Sequence, residues 1–375
     1  MSDRLLGGMA PGTFLRRHWQ KRPLLVRRAL PGFRATTNER SLAALAARGD
    51  VESRLVEQVR GRWRVTQGPL PRARLRRLPA FDWTLLVSGV NLHDAGAERL
   101  LRRFDFLPGA RLDDVMVSYA APGGGVGPHV DSYDVFLLQG PGRRVWRLAR
   151  PRRFAQVPGA PLQLIEGFAA DEEILVEPGD LLYLPPGWGH EGVALDACFT
   201  YSIGFRAPRG AELAAAFLDW LHERGLPDRA YRDPDLRPAA RPGRIPAQMI
   251  EHARRALAGI RWSARDAGDF LGQYLSAPKP HVVFAAPRRP LARGAFGRHL
   301  GRRAVALDAR TQLLYRGTRF FLNGELLVPG ARERAALAAL ADARRVPGRR
   351  LARAGLAALT YEWYRLGYLH LENAP

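Results

Sequence analysis

The sequence predicts a mainly β central domain, a barrel or a sandwich, followed by a helical region and a C-terminal module of helices with a small β-wing. Three observations carry this reading. Between residues 113 and 205, seven short runs rich in Val, Ile, Leu, Phe and Tyr follow one another: DVMVSYA, DVFLLQG, RVWRLA, EEILVEPG, DLLYLPP, EGVAL and CFTYSIGFR. Gly and Pro turns (PGGGVGP, GPG, EPGD, PPGWG) separate several of them, and no helical period interrupts most of the stretch, which disfavours a doubly wound parallel sheet. After Arg206 the texture changes to amphipathic helices.

Ahead of the β-run, FLRRHWQKRPLLVRRAL (14–30) reads as a short helix leading into the apolar Leu24-Leu25-Val26. SLAALAARG forms a helix that stops near Gly49, and strand signals follow in VESRLVEQ and GRWRVTQG. FDWTLLVSGVNLHDAGAERLLRRF (81–104) holds a buried strand and then a helix. Beyond the β-run come an amphipathic helix over 210–225, a Pro- and Arg-rich connector over 226–246, and helices over 247–260 and 264–276. A boundary falls at LSAPKPH (275–281). The last part offers a hairpin, TQLLYRGTRFFLNGELLV, turning at Asn323-Gly324, and two further helices, ARERAALAALADARR and RLARAGLAALTYEWYRLG (350–367).

With 375 residues the chain is long enough for two or three domains, and 46% hydrophobic content marks it as globular. One cysteine, Cys198, excludes a disulfide framework and a Cys-based zinc site. No run is long and apolar enough for a membrane span, and the first residues lack a secretory signal, so a cytoplasmic protein is expected. The net charge of +22 is unevenly spread. Residues 1–80 carry 18 basic against 5 acidic side chains, residues 81–205 carry 10 against 16, and residues 206–375 carry 30 against 15. An acidic middle thus lies between basic flanks. Nearly all the cations are Arg, with only Lys21 and Lys279 as lysines, so compositional drift accounts for the flanks as well as nucleic-acid contact does. The acidic middle runs against that drift and suits a cationic substrate.

Chemistry concentrates in GPHVDSYDVFLLQGPGRRVWRL (127–148). Residues two apart on an extended segment point the same way, so His129 and Asp131 can converge on one metal. A His-x-Asp pair alone is common and is usually structural. Here EPGDLLYLPPGWGHEG follows about 50 residues on, and it supplies His190 within the same β-run. Two imidazoles and one carboxylate with open positions form the facial triad of non-haem Fe(II) oxygenases. Strand alternation lets one of Arg143 and Arg144 face inward, and Arg144 is suited to hold a carboxylate with two parallel bonds. The run GGGVG (123–127) is followed by Pro128 and an extended segment instead of a helix, so a phosphate-loop reading fails. A close approach of backbone to a ligand, or a simple turn, remains.

Four stretches together resemble the JmjC/cupin-type ribosomal oxygenases: HWQKRPLLVR (18–27), SYAAPGGGVGPHVDSYDVFLLQGPGRRVWR (118–147), EPGDLLYLPPGWGHEG (177–192) and YSIGFRAP (201–208). They are most similar to its bacterial branch, which hydroxylates an arginine of a large-subunit ribosomal protein. The resemblance implies a mainly β catalytic domain of double-stranded β-helix (cupin/JmjC) type over 1–208. It also implies a helical dimerisation region over 209–276 and a winged-helix-like α+β domain over 277–375. It places the iron ligands on His129, Asp131 and His190, and the 2-oxoglutarate contacts on Arg144 and Ser118. Asp114 falls where an acid pairs with the substrate guanidinium, and Tyr133 where an aromatic ring packs on the substrate's aliphatic stem. Thr200 and Val145 depart from the family, which carries Asn and Arg there.

The implied activity consumes O2 and 2-oxoglutarate at Fe(II), releases succinate and CO2, and hydroxylates the β-carbon of an arginine in a large-subunit ribosomal protein. A homodimer, and ribosomal RNA contact through the basic flanks, are the implied partners. Histidine hydroxylation and lysine demethylation are alternatives on the same fold. A non-catalytic cupin that binds RNA through its flanks is the alternative from another class.

Overall fold

The computed structural model describes residues 5–373 apart from 227, 229 and 239; these three lie in the connector expected over 226–246. The chain forms two compact units that interleave in sequence. One takes in the chain through Ala207, Pro278–Thr311 and the chain from Arg344; the other is Pro208–Ala277 with Gln312–Ala343.

In the first unit the strands are β1 (Leu24–Val26), β2 (Ser53–Val59), β3 (Arg62–Gln67), β4 (Trp83–Val87), β5 (Leu112–Ala120), β6 (His129–Val130), β7 (Val135–Gln139), β8 (Arg144–Ala149), β9 (Glu172–Val176), β10 (Leu181–Leu184), β11 (Gly189–Ala194) and β12 (Cys198–Phe205). Eight of them form one sheet in the order β1-β10-β7-β12-β5-β4-β2-β3, and four form a second in the order β6-β11-β8-β9. Every pairing is antiparallel. The non-consecutive neighbours are the interleaved order of a double-stranded β-helix, as expected. The two-residue β6 was invisible in the sequence, because it is too short for alternation to register.

Alternation assigns the two faces of the large sheet. Val115 and Val117 of β5, and Tyr201 and Ile203 of β12, point to one side. There they join Phe136, Leu138, Tyr183 and the N-terminal helix Pro11–Arg17 in a core centred on Phe14, Phe104, Phe136, Tyr183 and Phe205. The rings of Phe104 and Phe136 are 4.8 Å apart, as are those of Phe136 and Tyr183. Full burial of each such ring contributes about 2–3 kcal/mol. The opposite face turns toward the small sheet. At the sealed end, Val135, Leu137, Leu182 and Leu184 meet Trp146, Leu148, Ile174 and Val176. The other end stays open and lined with polar groups.

A buried carboxylate fixes the loop that leads into β7. Asp134 accepts from the Tyr183 hydroxyl (2.6 Å), Gln20 Nε2 (3.0 Å) and Arg111 Nη2 (3.1 Å). Its side chain is fully buried, so these donors replace its lost hydration. Asp180, also buried, accepts from Arg27 Nη1 and the backbone N–H of Arg28, tying the EPGD turn to the end of β1.

The remaining segments of this unit add the helix Arg293–Leu300 and strands β13 (Ala304–Leu307), β17 (Arg345–Pro347) and β18 (Leu369–Glu372), paired in the order β17-β13-β18. The single helix expected over 350–367 is two, Gly348–Arg353 and Ala357–Arg365. Gly355 between them sits at φ +88°, a left-handed conformation that ends the first helix.

The second unit holds the helices Gly210–Glu223, Ala247–Ala258, Ala264–Ser276 and Ala331–Ala343. Its sheet, β14 (Leu313–Arg316), β15 (Arg319–Leu322) and β16 (Glu325–Leu327), makes the wing three-stranded where the sequence suggested one hairpin. Asn323-Gly324 does form a turn, both residues at positive φ, and a second turn at Gly317 (φ +58°) supplies the other reversal. Gly272 lies against the Phe321 ring, where an added Cβ would come within 2.3 Å.

Replacing Asp134 with Ala leaves the hydroxyl, amide and guanidinium around it without their shared acceptor. The expected loss of stability is about 3 kcal/mol, read from urea unfolding. A loss under about 1 kcal/mol would show that the network does not anchor this loop.

Candidate active site

The ladder brings the three predicted metal ligands together. His129 of β6 and His190 of β11 are direct cross-strand partners, so their rings rise from adjacent positions on one face. The ring centroids are 4.2 Å apart. Asp131 follows two residues after His129, and its Oδ2 lies 3.7 Å from His190 Nε2. One ligand atom from each residue falls within 4.8 Å of the others. Backbone bonds join the two ligand-bearing segments, since the Gly187 N–H of the PPGWG turn donates to the Asp131 carbonyl at 3.0 Å.

The tautomers follow from the backbone. His129 Nδ1 is 2.9 Å from the Gly127 carbonyl, and His190 Nδ1 is 3.0 Å from the Trp188 carbonyl. A carbonyl can only accept, so each Nδ1 donates and each Nε2 is the nitrogen left to ligate. Burial, and then the neighbouring His129, push the His190 imidazole down to about 4. It is therefore neutral at physiological pH, as ligation requires. Two imidazole nitrogens and a carboxylate, with the cavity open beside them, fit a divalent metal with free positions.

That cavity measures about 510 Å³ and takes walls from both sheets. Large-sheet rungs supply Ser118 opposite Thr200, then Met116 opposite Ser202 opposite Leu137. From the small sheet come Arg144 and Trp146, with Val145 and the paired Arg147 on its other face. Trp146 lies between the metal ligands and Arg144. Its ring is 5.9 Å from that of His190 and 5.6 Å from the Arg144 guanidinium carbon. Gly192 stands opposite Trp146 across the ladder, and an added Cβ would come within 2.7 Å of the indole. The absent side chain is thus what lets the ring lie flat across the floor.

Arg144 is only 4% exposed. Among the described residues its one polar contact is a long one, Nη2 to Cys198 Sγ at 3.7 Å, and Nε is buried with no hydrogen-bond partner. No carboxylate among the described residues pairs with it. Arg143 beside it faces out and pairs with Asp196. A buried, uncompensated cation is costly and implies an anion from outside. Thr84 Oγ1, lining the same cavity, is likewise buried without a partner. An anion entering this cavity would find the Arg144 guanidinium in one wall and the metal-ligand trio in another.

Asp114 and Tyr133 line the same cavity as the ligands. Asp114 Oδ2 accepts from the Gly89 N–H at 2.7 Å. Burial, and then Asp113, push its carboxyl up to about 6. Tyr133 is exposed at the rim, and desolvation and the Asp131 charge both raise its hydroxyl's pKa. The glycine run is packed against a strand, and its Val126 also lines the cavity. Gly123 and Gly124 exchange backbone bonds with Ala194, while a Cβ on Gly125 would meet the Gly192 carbonyl at 2.6 Å. The run presses backbone against β11, the strand that carries His190. Thr84, Trp146 and Lys279, all lining the cavity, escaped the sequence reading. Thr84 carried a signal, being the one hydroxyl in the otherwise apolar WTLLV.

Known proteins share this arrangement. A JmjC domain model matches residues 99–213, and a ROXA-like winged-helix model matches residues 259–370. The chain is 40% identical over 280 residues to the ribosomal protein uL16 3-hydroxylase of Escherichia coli K12, covering 74% of each chain. The chain belongs to the JmjC ribosomal oxygenases. A solved structure of the E. coli ribosomal oxygenase YcfD, in complex with cobalt and 2-oxoglutarate, superposes with a TM-score of 0.82 at 33% identity. It covers 97% of this chain and 99% of that one. Another E. coli YcfD structure gives 0.85 at 34% identity, covering 97% and 98%.

Two expectations follow for this ribosomal oxygenase. His190→Ala removes a ligand from the ladder rung and should weaken Co(II) binding at least about 100-fold in a calorimetric titration. An unchanged affinity would place the metal elsewhere. Arg144→Met should raise the KM for 2-oxoglutarate by roughly 100-fold, the loss of a buried charge-assisted pair. A KM within threefold of the parent would remove Arg144 from the site.

Proposed function

We propose that this ribosomal oxygenase is an Fe(II)- and 2-oxoglutarate-dependent dioxygenase that hydroxylates the β-carbon of an arginine in a large-subunit ribosomal protein. The observation that carries the reading is one cavity holding two complementary demands: a His, His, carboxylate cluster, and a buried Arg144 with no counter-ion among the described residues. In this reading His129, Asp131 and His190 hold the metal, while Arg144 and Ser118 hold 2-oxoglutarate. The bound metal and O2 supply the oxidative decarboxylation of 2-oxoglutarate to succinate and CO2, coupled to C–H hydroxylation. The chain's own residues orient and exclude. Trp146, Met116 and Leu137 give the inner cavity apolar walls that limit water. Asp114 accepts from the substrate guanidinium, and Tyr133 stacks along its methylene stem, so that one carbon faces the metal.

An acidic acceptor at the mouth favours a cationic side chain over a neutral imidazole, which is why arginine is preferred to histidine. A lysine substrate would meet the same acid, but a guanidinium matches a carboxylate with two parallel bonds. The division of labour follows the same reading: catalysis in 1–208, dimerisation in 209–276 and a winged helix in 277–375. The helix Ala247–Ala258 buries none of its residues and exposes Met249, Ile250 and Leu257, as an unpaired dimer helix would. Cytoplasmic ribosomal targets, and RNA contact through the arginine-rich flanks, complete the proposal.

Incubation with Fe(II), ascorbate, 2-oxoglutarate and a large-subunit ribosomal protein uL16 should add 16 daltons to one arginine, with equimolar succinate. The gain should disappear in His129→Ala. A gain on histidine, or formaldehyde release from methyl-lysine, would favour the alternatives, and no gain with salt-sensitive RNA binding would favour the non-catalytic cupin.

A further inference from the structure

The acidic mouth already contains a cation. Lys279, in the segment that follows the helix Ala264–Ser276, lines the cavity together with Asp113 and Asp114. Its Nζ is 3.0 Å from Asp113 Oδ1 and 3.2 Å from Oδ2. Arg206 Nε reaches Asp113 Oδ1 at 3.5 Å. Two carboxylates therefore face two cations, and the cluster is neutral before any substrate arrives. An incoming guanidinium adds a third positive charge to a partly desolvated mouth, where charges interact more strongly than in water.

The fit of Lys279 is that of a movable partner. Its side chain is 39% exposed and that of Asp113 29%, so the ammonium can leave for solvent at modest cost. Asp113 Oδ1 is buried and, despite the nearby ammonium, accepts no aligned hydrogen bond. Arg206 is better sheltered, with a side chain 19% exposed, and stays with Asp113. A lysine also suits the role chemically. Its ammonium is a compact, strongly hydrated charge on a flexible stem, whereas a guanidinium forms the planar two-bond pair that is harder to displace. Of the 58 basic residues in the chain, only this one and Lys21 are lysines.

We propose that Lys279 is a placeholder cation: it neutralises the acidic mouth of the free enzyme and is displaced by the substrate's cationic side chain, so that it sets the affinity and selectivity for that side chain. This rests on the reading of Asp114 as the acceptor for the substrate cation. In the free enzyme the ammonium pairs with Asp113, and its charge also acts on the neighbouring Asp114. On binding it swings to water, and the guanidinium takes its place with the charge balance restored. A neutral side chain gains nothing by displacing it, so the exchange discriminates against uncharged analogues.

Two arms test this on the full-length, metal-loaded enzyme. In the first, Lys279→Met should lower the KM for an arginine-containing uL16 peptide by roughly two- to fivefold, the range of a half-exposed ion pair. Lys279→Arg should raise it. A higher KM in the Met variant, or no change in either, overturns the proposal. The second arm needs no turnover. Acetylation by an N-hydroxysuccinimide ester is followed at both lysines by mass spectrometry, with the exposed Lys21 as the internal reference. N-acetyl-arginine amide should accelerate modification of Lys279 relative to Lys21, and N-acetyl-citrulline amide should not. Equal or slower modification with the arginine compound overturns the placeholder. Absence of arginine hydroxylation by the parent enzyme overturns the hydroxylase reading instead, and the labelling arm still decides for or against displacement.

Discussion

The direct pairing of His129 with His190 across the β6–β11 ladder is the constraint on which the site depends. One rung places both imidazoles on one face, and the two-residue repeat of an extended chain adds Asp131. The backbone then sets the chemistry of the rings as well as their positions. Carbonyls of Gly127 and Trp188 hold the Nδ1 protons, which leaves both Nε2 atoms free to ligate. None of this needs a rigid metal cage. It needs a β11 strand held in register, which the glycine run provides from one side and β8 from the other.

The cavity is built around charges left unmatched at one end and matched provisionally at the other. Arg144 sits buried without a counter-ion where a small dicarboxylate would end. At the mouth, Asp113 and Asp114 are balanced by Lys279 and Arg206. The first arrangement leaves a positive charge to be met by an anion, and under the proposed function the second is where a cationic side chain enters. Trp146 separates the metal ligands from Arg144, and Gly192 exists opposite it because any larger residue would collide with the indole.

Much of this was legible in the sequence because alternation and turn chemistry are local. The seven runs of the β-stretch all became strands, and the spacing of His129 and Asp131 carried through unchanged. The nearness of His190 is a property of strand order, β6 beside β11, which no local pattern encodes; only the grammar of the flanking turns pointed to it. Trp146 looked like an ordinary strand residue, since which face lines a cavity is decided by the other sheet. Lys279 was the hardest case. It lies 165 residues beyond Asp114 in a segment that reads as a boundary, and its role comes from proximity alone. The division of the β-wing failed for a smaller reason: Gly317-Thr318 is a weaker turn signal than Asn323-Gly324.

The account's central claim is that the metal ligands and Arg144 grip opposite ends of one molecule. The most direct test is the affinity for 2-oxoglutarate, measured anaerobically with and without Co(II) in the same protein. Binding through both ends predicts strong coupling: 2-oxoglutarate binds at least tenfold more tightly when the metal is present, and the metal is held tighter by the same factor when 2-oxoglutarate is present. Equal affinities in the two conditions would mean that the trio and Arg144 serve different ligands, and would contradict the account.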